Sequence, residues 1–367
     1  MRRPEGRGSG VFVAARSAVG LDIGTSGIRA AEVTTRKGQL TLERFGQVAL
    51  PPGAVRAGEV VDPATVTLAL KQLWKTVGFS SRNVVLGVAN AKVIVRQVDL
   101  PWLPPAEMRK ALRFQVQDFL PMDISDAVLD FHPLIELTGA DGGRTVRGLL
   151  VAASRDMVNG LLTAVRKAGL HPAQVDLTSF AVLRSVGRVD HLGTTDHVEA
   201  LVDIGASVTN VVVHANGIPR FVRLLLKGGA DITEALADRL GVSLDEAEAL
   251  KREHGEKTEA NSTQEDVAVR AIGTARDDFI YEIRRSLEYY VATSADAERI
   301  DRVVLSGGGA QLHDLESRLA AATRLPVELG RGFASLSIGK TGLSDDQLDV
   351  VGPSSAVPVG LALGALT

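Results

Sequence analysis

The chain has 367 residues, 45% hydrophobic and 23% charged, which is enough apolar mass for a large core and for two domains. Lysine and arginine number 41 against 44 aspartates and glutamates, so the net charge of -3 offers no broad basic field and argues against nucleic acid as a partner. The absence of cysteine excludes a disulfide framework and thiol chemistry, and the longest apolar runs, such as Val208–His214 and Val357–Leu366, fall short of the roughly 20 residues that a membrane helix needs.

Residues 1–17 carry Arg2, Arg3, Arg7 and Arg16 among glycines and read as a flexible basic tail, since Gly10–Ala15 is too short for a secretory core. Strands are expected at Ala18–Ile23, Gly27–Thr34 and Leu40–Leu50, a meander with a glycine turn at Gly24-Thr25-Ser26. Pro63–Val77 places Val66, Leu70, Leu73 and Val77 at helical spacing behind the cap candidate Asp62, with Gly78 as its end. A short strand, Asn83–Ala89, follows.

Residues 92–169 have a different texture and read as an inserted subdomain. It holds a strand at Val93–Leu100, a helix from Pro105 to Leu120, strands near Val128–Leu137 and Val146–Ala153, and a helix from Asp156; Gly139–Arg144 is a hairpin tip. Strand Ala173–Asp176, helix Ser179–Val186 and a polar loop at Gly187–His197 lead to a second meander: Val198–Ile204, Val208–His214 and Ile218–Leu226. Helices are expected near Ala230–Leu240, Leu244–Glu253 and Thr274–Thr293, with a polar loop at Gly255–Glu265. Strand Ile300–Leu305, a helix from Gln311 and a closing helix at Val357–Leu366 complete the chain.

The second meander restates the first. GLDIGTSGIRAAEV (Gly20–Val33) and LVDIGASVTNVVVH (Leu201–His214) share Asp-Ile-Gly, a small residue, a serine and an extended run. In Asp22-Ile23-Gly24-Thr25-Ser26, Gly24 lets a ligand approach the backbone, and the turn amides and hydroxyls can donate to phosphate oxygens. Asp22 ends an apolar strand beside them and can hold magnesium, through water as that ion prefers. Taken alone this is equally an ordinary hairpin turn with an aspartate partner. Asp203-Ile204-Gly205-Ala206-Ser207 repeats the chemistry, and two opposed turns can clamp a polyphosphate with one carboxylate each near the metal. Ser306-Gly307-Gly308-Gly309-Ala310 can bring bare backbone to a ribose or α-phosphate, or can serve tight strand-to-helix packing.

Together these features resemble the actin, sugar kinase and heat-shock chaperone superfamily, and within it the cell-division FtsA and pilus PilM families. The PilM resemblance covers nearly the whole chain from Ala18. It rests on VGLDIGTSGIRAAEV, LPWLPPAEMRKALRFQVQDFLP, VDLTSFAVLRSV, LVDIGASVTNVVV, RFVRLLLKGGADITEALADRL, AEALKREHG, VVLSGGGAQLHDL and VGLALGAL. The resemblance implies an α/β, actin-like, ribonuclease H-like duplicated ATPase fold, with two halves around a nucleotide cleft and an inserted FtsA-like subdomain. The first half would comprise 18–91, 170–196 and 353–367, and the insertion 92–169; the second half would comprise 197–226 and 297–352, with a nucleoside-side subdomain at 227–296.

It further implies ATP and Mg2+ as cofactors, held by Asp22, Gly24, Thr25, Ser26, Asp203, Gly205, Ala206, Ser207, Gly307 and Gly308, with Asp22 and Asp203 at the metal. Gly229 would lie by the ribose, and Glu248, Lys251 and Arg252 look like the Glu-x-x-Lys-Arg set that faces the nucleoside, the guanidinium stacked on the purine. Without the motif those three are spaced charges on a solvated helix. Asp176 falls where relatives orient an attacking water, or it caps the helix that follows. The helix from Pro105 presents Met108, Leu112 and Phe119 near one face, as core or as part of a groove for the N-terminal cytoplasmic peptide of a PilN-like membrane protein.

The implied function is an ATP-binding cytoplasmic scaffold of type IV pilus assembly, with weak or no ATPase activity. It would be peripheral at the inner face of the cytoplasmic membrane, reaching the membrane only through partner proteins and touching other pilus assembly components. A small-molecule kinase of the same superfamily would need a polar substrate pocket, and the sequence shows no His or Asp cluster to build it. An FtsA-like filament-forming division protein commonly anchors through a basic C-terminal amphipathic helix, and Val357–Leu366 lacks a basic face.

Overall fold

The computed structural model of the chain describes residues 16–138, 142–189, 197–254, 263–293 and 299–366. The expected tail lies outside these as far as residue 15, as do the hairpin tip at 139–141, residues 190–196 of the polar loop and residues 255–262 of the later one. Arg16 and Ser17, expected in the tail, instead open the first strand, paired with Thr35 and Thr34.

The fold opens on a meander of β1 (Arg16–Ile23), β2 (Gly27–Arg36) and β3 (Gln39–Ala49). Val19, Leu21, Ile28 and Ala30 enter one core, and Ala18, Ala31 and Val33 another, which is why these strands read as continuous apolar runs rather than alternating ones. A small hairpin, β4 (Val55–Arg56) and β5 (Glu59–Val60), precedes α1 (Pro63–Val77). The Asp62 carboxylate accepts from the amides of Ala64 and Thr65, and Gly78 ends the helix at φ 69°, a conformation suited to glycine. β6 (Asn83–Val88) lies parallel to β1.

The next unit has β7 (Val93–Pro101), α2 (Pro105–Gln115), β8 (Ala127–Thr138) and β9 (Arg144–Ser154), with strand order β7-β9-β8. Met108, Leu112 and Val116 are buried against Val98, Leu100, Val146 and Leu150. The helix is shorter than expected: it stops at Gln115, and Gln117–Phe119 form a single 3-10 turn. Pro121 accounts for the stop, because it drives Leu120 into extended geometry at φ -113°, ψ 134°. Phe119, expected beside Met108 and Leu112, is consequently 37% exposed.

After α3 (Arg155–Lys167) the chain returns through β10 (His171–Leu177) and α4 (Thr178–Val186). The second block runs β11 (Val198–Ile204), β12 (Thr209–Ala215), β13 (Ile218–Leu225), α5 (Gly229–Leu240), α6 (Leu244–His254) and α7 (Thr263–Thr293). It continues with β14 (Arg302–Ser306), α8 (Leu315–Thr323), β15 (Val327–Leu329), β16 (Ser337–Ile338), α9 (Asp345–Val351) and α10 (Ala356–Gly364). α7 begins before the expected Thr274, because Ala268, Ala271 and Ile272 bury against Ile232 and Leu236 of α5. Residues 263–265, expected in the polar loop, are its first turn.

The two large sheets have the orders β10-β6-β1-β2-β3-β16 and β13-β12-β11-β14-β15. Each is an antiparallel meander whose first strand is followed outward by two parallel strands. The duplication seen in the motifs is therefore a duplication of topology. Between the sheets lie α4 and α10: Ala181, Val182, Val357 and Leu361 share one core with Val85 of the first sheet and Leu201 and Val212 of the second. The second block thus ends by packing back on the first.

Candidate functional site

The two Asp-Ile-Gly turns have the same construction. The amide of Gly24 donates to Gly27 O at 3.0 Å, and the amide of Gly205 donates to Val208 O at 3.0 Å. Each closes a tight link between antiparallel strands, and the register follows: Asp22 sits across from Arg29, and Asp203 across from Asn210. Arg29 Nη1 is 4.0 Å from Asp22 Oδ2. Asn210 Nδ2 lies 3.4 Å from Asp203 Oδ2, and Ser306 Oγ donates to Asp203 Oδ1 at 3.0 Å. The hydroxyls of Thr25, Ser26 and Ser207 are not committed to other groups among the described residues.

Electrostatics bring the two aspartates together. Burial pushes Asp203 up from the usual carboxylate range to about 6, and the charge of Asp22 pushes the same way, against Ser306 and Arg29. Burial also raises Asp22, partly offset by Arg29. A buried carboxyl whose proton affinity is raised by the charge of a second carboxylate marks a site that favours a cation.

The glycine segment after β14 divides between close packing and an open position. Gly307 has φ 84°, and a Cβ there would stand 2.4 Å from Ile204 O; one on Gly309 would be 2.4 Å from Ile204 Cγ2. These two glycines permit close packing on the end of β11. Gly308 is different: the nearest atom to its would-be Cβ is Arg29 Nη2, at 3.8 Å, so it opens toward the turns. The expected helix at Gln311 is a 3-10 turn, Gly308–Gln311, and α8 starts only after Asp314, whose left-handed φ of 58° interrupts any continuous helix.

On the other side of the second turn, the amides of Gly229 and Ala230 donate to Gly205 O and Ala206 O at 3.0 and 2.7 Å. Lys251 Nζ donates to Gly229 O at 2.9 Å and to Thr233 Oγ1 at 2.8 Å, and pairs with Glu248 at 2.6 Å. Arg252 Nε reaches Glu248 at 2.9 Å, with its side chain 76% exposed. Burial alone would raise Glu248, but hydrogen bonds from Lys251 and Thr233 outweigh it and hold the carboxylate low. Gly229, Glu248, Lys251 and Arg252 thus form one cluster beside Gly205 and Ala206.

Asp176 ends up engaged elsewhere. Its Oδ1 accepts from the Leu177 amide at 2.7 Å, and its Oδ2 is bonded to the Arg184 guanidinium, which also donates to Gly360 O at 3.0 Å. Two and three residues on, Thr178 and Ser179 both donate to Asn210 Oδ1 at 2.9 Å, so the start of α4 touches the cleft through Asn210.

The family model for type IV pilus assembly protein PilM matches residues 20–366. The chain belongs to the PilM family. A solved PilM–PilN type IV pilus biogenesis complex is similar over 95% of this chain and 98% of that one, with 30% identity and a TM-score of 0.82. Among curated proteins, the cell division protein FtsA of Streptococcus pneumoniae serotype 2 (strain D39 / NCTC 7466) is 26% identical over 278 residues, 69% of this chain and 59% of that protein. FtsA of Bacillus subtilis (strain 168) is 25% identical over 283 residues, 70% of this chain and 62% of its own length. The match therefore spans about three fifths of those relatives. MreB 5 of Spiroplasma citri, solved with AMPPNP, shares the actin-like fold over 95% of each chain with a TM-score of 0.55 at 10% identity.

Within this PilM-family cleft, the donor set fits a magnesium–nucleotide pair. Two converging carboxylates, turn amides and hydroxyls, and an arginine whose buried Nε has no partner suit a divalent ion with polyphosphate oxygens. No cluster of three or more His, Asp or Glu among the described residues has metal-binding geometry, so two carboxylates, water and phosphate would have to complete the coordination. Arg29 and Asn210 are the residues that motif reading misses. The register carries the signal: a four-residue turn link places the residue seven positions after each aspartate directly across from it.

Proposed function

We propose that the cleft binds ATP with Mg2+ and that the chain acts as a cytoplasmic scaffold of type IV pilus assembly at the inner membrane. The observation that carries this reading is the duplicated cleft: two turns of one design, each following a half-buried or buried aspartate, with the charge of Asp22 acting on Asp203. Asp22 and Asp203 would hold the ion, the amides and hydroxyls of Gly24–Ser26 and Gly205–Ser207 the phosphates, and Gly307 and Gly308 would flank the α-phosphate. Gly229, Glu248 and Lys251 would take the ribose, with Arg252 on the purine. When bound, the ion neutralises charge on the polyphosphate.

Asp176 is the residue assigned to orienting a water. Both of its oxygens already accept hydrogen bonds from Leu177 and Arg184, which supports slow turnover or none and a nucleotide used as a structural clamp between the halves. The partner is the N-terminal cytoplasmic peptide of a PilN-like membrane protein, docked beside the inserted subdomain, where Phe114 is 84% and Phe119 37% exposed. Membrane attachment would come through that partner, and no helix among the described residues is long and apolar enough to cross a membrane. Calorimetry with ATP and Mg2+ tests the cleft: an unchanged affinity in a folded Asp22→Ala, Asp203→Ala double variant overturns it. A PilN-like peptide that fails to bind the wild-type chain overturns the partner assignment.

A further inference from the structure

Arg29 stands in neither phosphate turn, yet its guanidinium spans the cleft. Nη1 lies 4.0 Å from Asp22 Oδ2 and 3.8 Å from where a Cβ on Gly24 would be, in the first half. Nη2 lies 3.8 Å from the corresponding point on Gly308, in the second half. The side chain is 21% exposed, and its buried Nε has no hydrogen-bond partner among the described residues. An arginine cannot shed its charge, and here it makes no close bidentate pair with a carboxylate, the geometry that would commit it permanently. The equivalent position of the second half is Asn210, a neutral residue fully engaged by Asp203, Thr178 and Ser179. Beside its two carboxylates the pseudo-symmetric cleft thus has one fixed positive charge among the described residues, Lys251 being paired with Glu248.

We propose that Arg29 is the resident counter-cation of the Asp22–Asp203 pair, so that a divalent ion enters the pair only together with a polyphosphate that takes over the guanidinium. The charge balance is the reason. Two carboxylates and one guanidinium leave a single negative charge, and a divalent ion added by itself would turn this into an excess of positive charge in a sheltered cleft. A polyphosphate arriving with the ion gives the guanidinium a new anionic partner and leaves both carboxylates to the metal. Remove the guanidinium charge, and two carboxylates and one divalent ion balance without any nucleotide.

This rests on the ATP–Mg2+ reading of the cleft, and thermal melts separate the two ideas. Wild-type protein is expected to keep its Tm in Mg2+ alone and to gain several degrees with Mg2+ and ATP. Arg29→Met, which keeps bulk and loses charge, is expected to gain several degrees in Mg2+ alone, and Arg29→Lys to behave as wild type. A Tm gain in Mg2+ alone that is equal in wild type and Arg29→Met overturns the counter-cation role and spares the nucleotide reading. So does an Arg29→Met protein that responds to Mg2+ with ATP but not to Mg2+ alone. Wild-type protein insensitive to Mg2+ with ATP sinks the nucleotide reading and this inference with it. Should Arg29→Met not fold, Mn2+ titrated into wild type without nucleotide decides by electron paramagnetic resonance: an undiminished free-ion signal supports the role, and stoichiometric loss of signal overturns it.

Discussion

Asn210 of β12 faces Asp203 of β11 directly across the hairpin, and its Nδ2 lies 3.4 Å from the aspartate's Oδ2. The other end of the same amide accepts from both Thr178 and Ser179 at 2.9 Å, so one buried side chain ties the start of α4 to a cleft carboxylate. Asn210→Ala would take the acceptor from the Ser179 hydroxyl and leave that of Thr178 only a long contact to Val88 O, at 3.5 Å. Stranding a buried polar group costs about 1–3 kcal/mol, so the variant is expected to lose about 1–3 kcal/mol in urea unfolding and to bind ATP with Mg2+ about tenfold more weakly. A loss below about 0.5 kcal/mol would mean that water serves these hydroxyls equally well.

Asp203 makes stability and binding respond to pH in opposite directions. Its carboxyl is raised in the fold from 3.8 to about 6, by burial first and by Asp22 second. Between those values the folded chain holds a proton that the unfolded chain has released, so stability falls as pH rises through this window and levels off above it. Asp203→Asn, which cannot ionise, should remove the decline: wild type and variant should be of similar stability near pH 4 and diverge, in the variant's favour, toward about pH 6.5. Binding of ATP with Mg2+ requires the charged carboxylate and should tighten over the same interval. A wild-type Tm that runs parallel to that of Asp203→Asn across the range would show that Asp203 is not raised.

The α/β duplicated fold was legible because its signals are local: glycines and aspartates at strand ends, β-branched runs, and Asp62 and Gly78 at the ends of α1. The phosphate turns were visible for the same reason. What escaped depends on pairing or on distant packing. Arg29 and Asn210 acquire meaning only from strand register, and α7 extends back through a polar stretch because Ala268 and Ile272 find α5. The end of α2 shows the converse: the apolar pattern continues to Phe119, but Pro121 constrains the backbone before it. Asp176 looked available in the sequence because its partner Arg184, eight residues on, is reached only after α4 turns back over β10.

The crossing of α4 and α10 holds the halves together and should tolerate no added methyl. A Cβ on Gly360 would stand 1.8 Å from Ala181 O, a backbone atom that cannot move without shifting the helix. Overpacking costs typically about 1–3 kcal/mol, and a backbone clash belongs at or above the upper end. Gly360→Ala is therefore expected to lower stability by about 3 kcal/mol or more, read as a large drop in Tm or in soluble yield. Gly160→Ala, at a helical glycine with open space around it, is the control that should be neutral or slightly stabilising. Equal Tm values for the two variants would refute the close approach of the helices.

Arg252 offers the cleanest separation of nucleoside from phosphate recognition, because its side chain is 76% exposed and its one bond among the described residues, to Glu248 Oε1, lies at the surface. Arg252→Ala should leave stability within about 0.5 kcal/mol. A guanidinium stacked on a base contributes about 1–2 kcal/mol, so ATP affinity is expected to fall roughly 5- to 30-fold, while affinity for inorganic tripolyphosphate stays unchanged. Lys251→Met makes the contrasting case: Lys251 bonds Gly229 O and Thr233 as well as Glu248, and the segment at Gly229 holds the second phosphate turn through Gly205 O. Its loss should weaken both ligands. Competition binding of ATP and tripolyphosphate to the two variants would check this, and an equal loss of both ligands in Arg252→Ala would remove that arginine from the base.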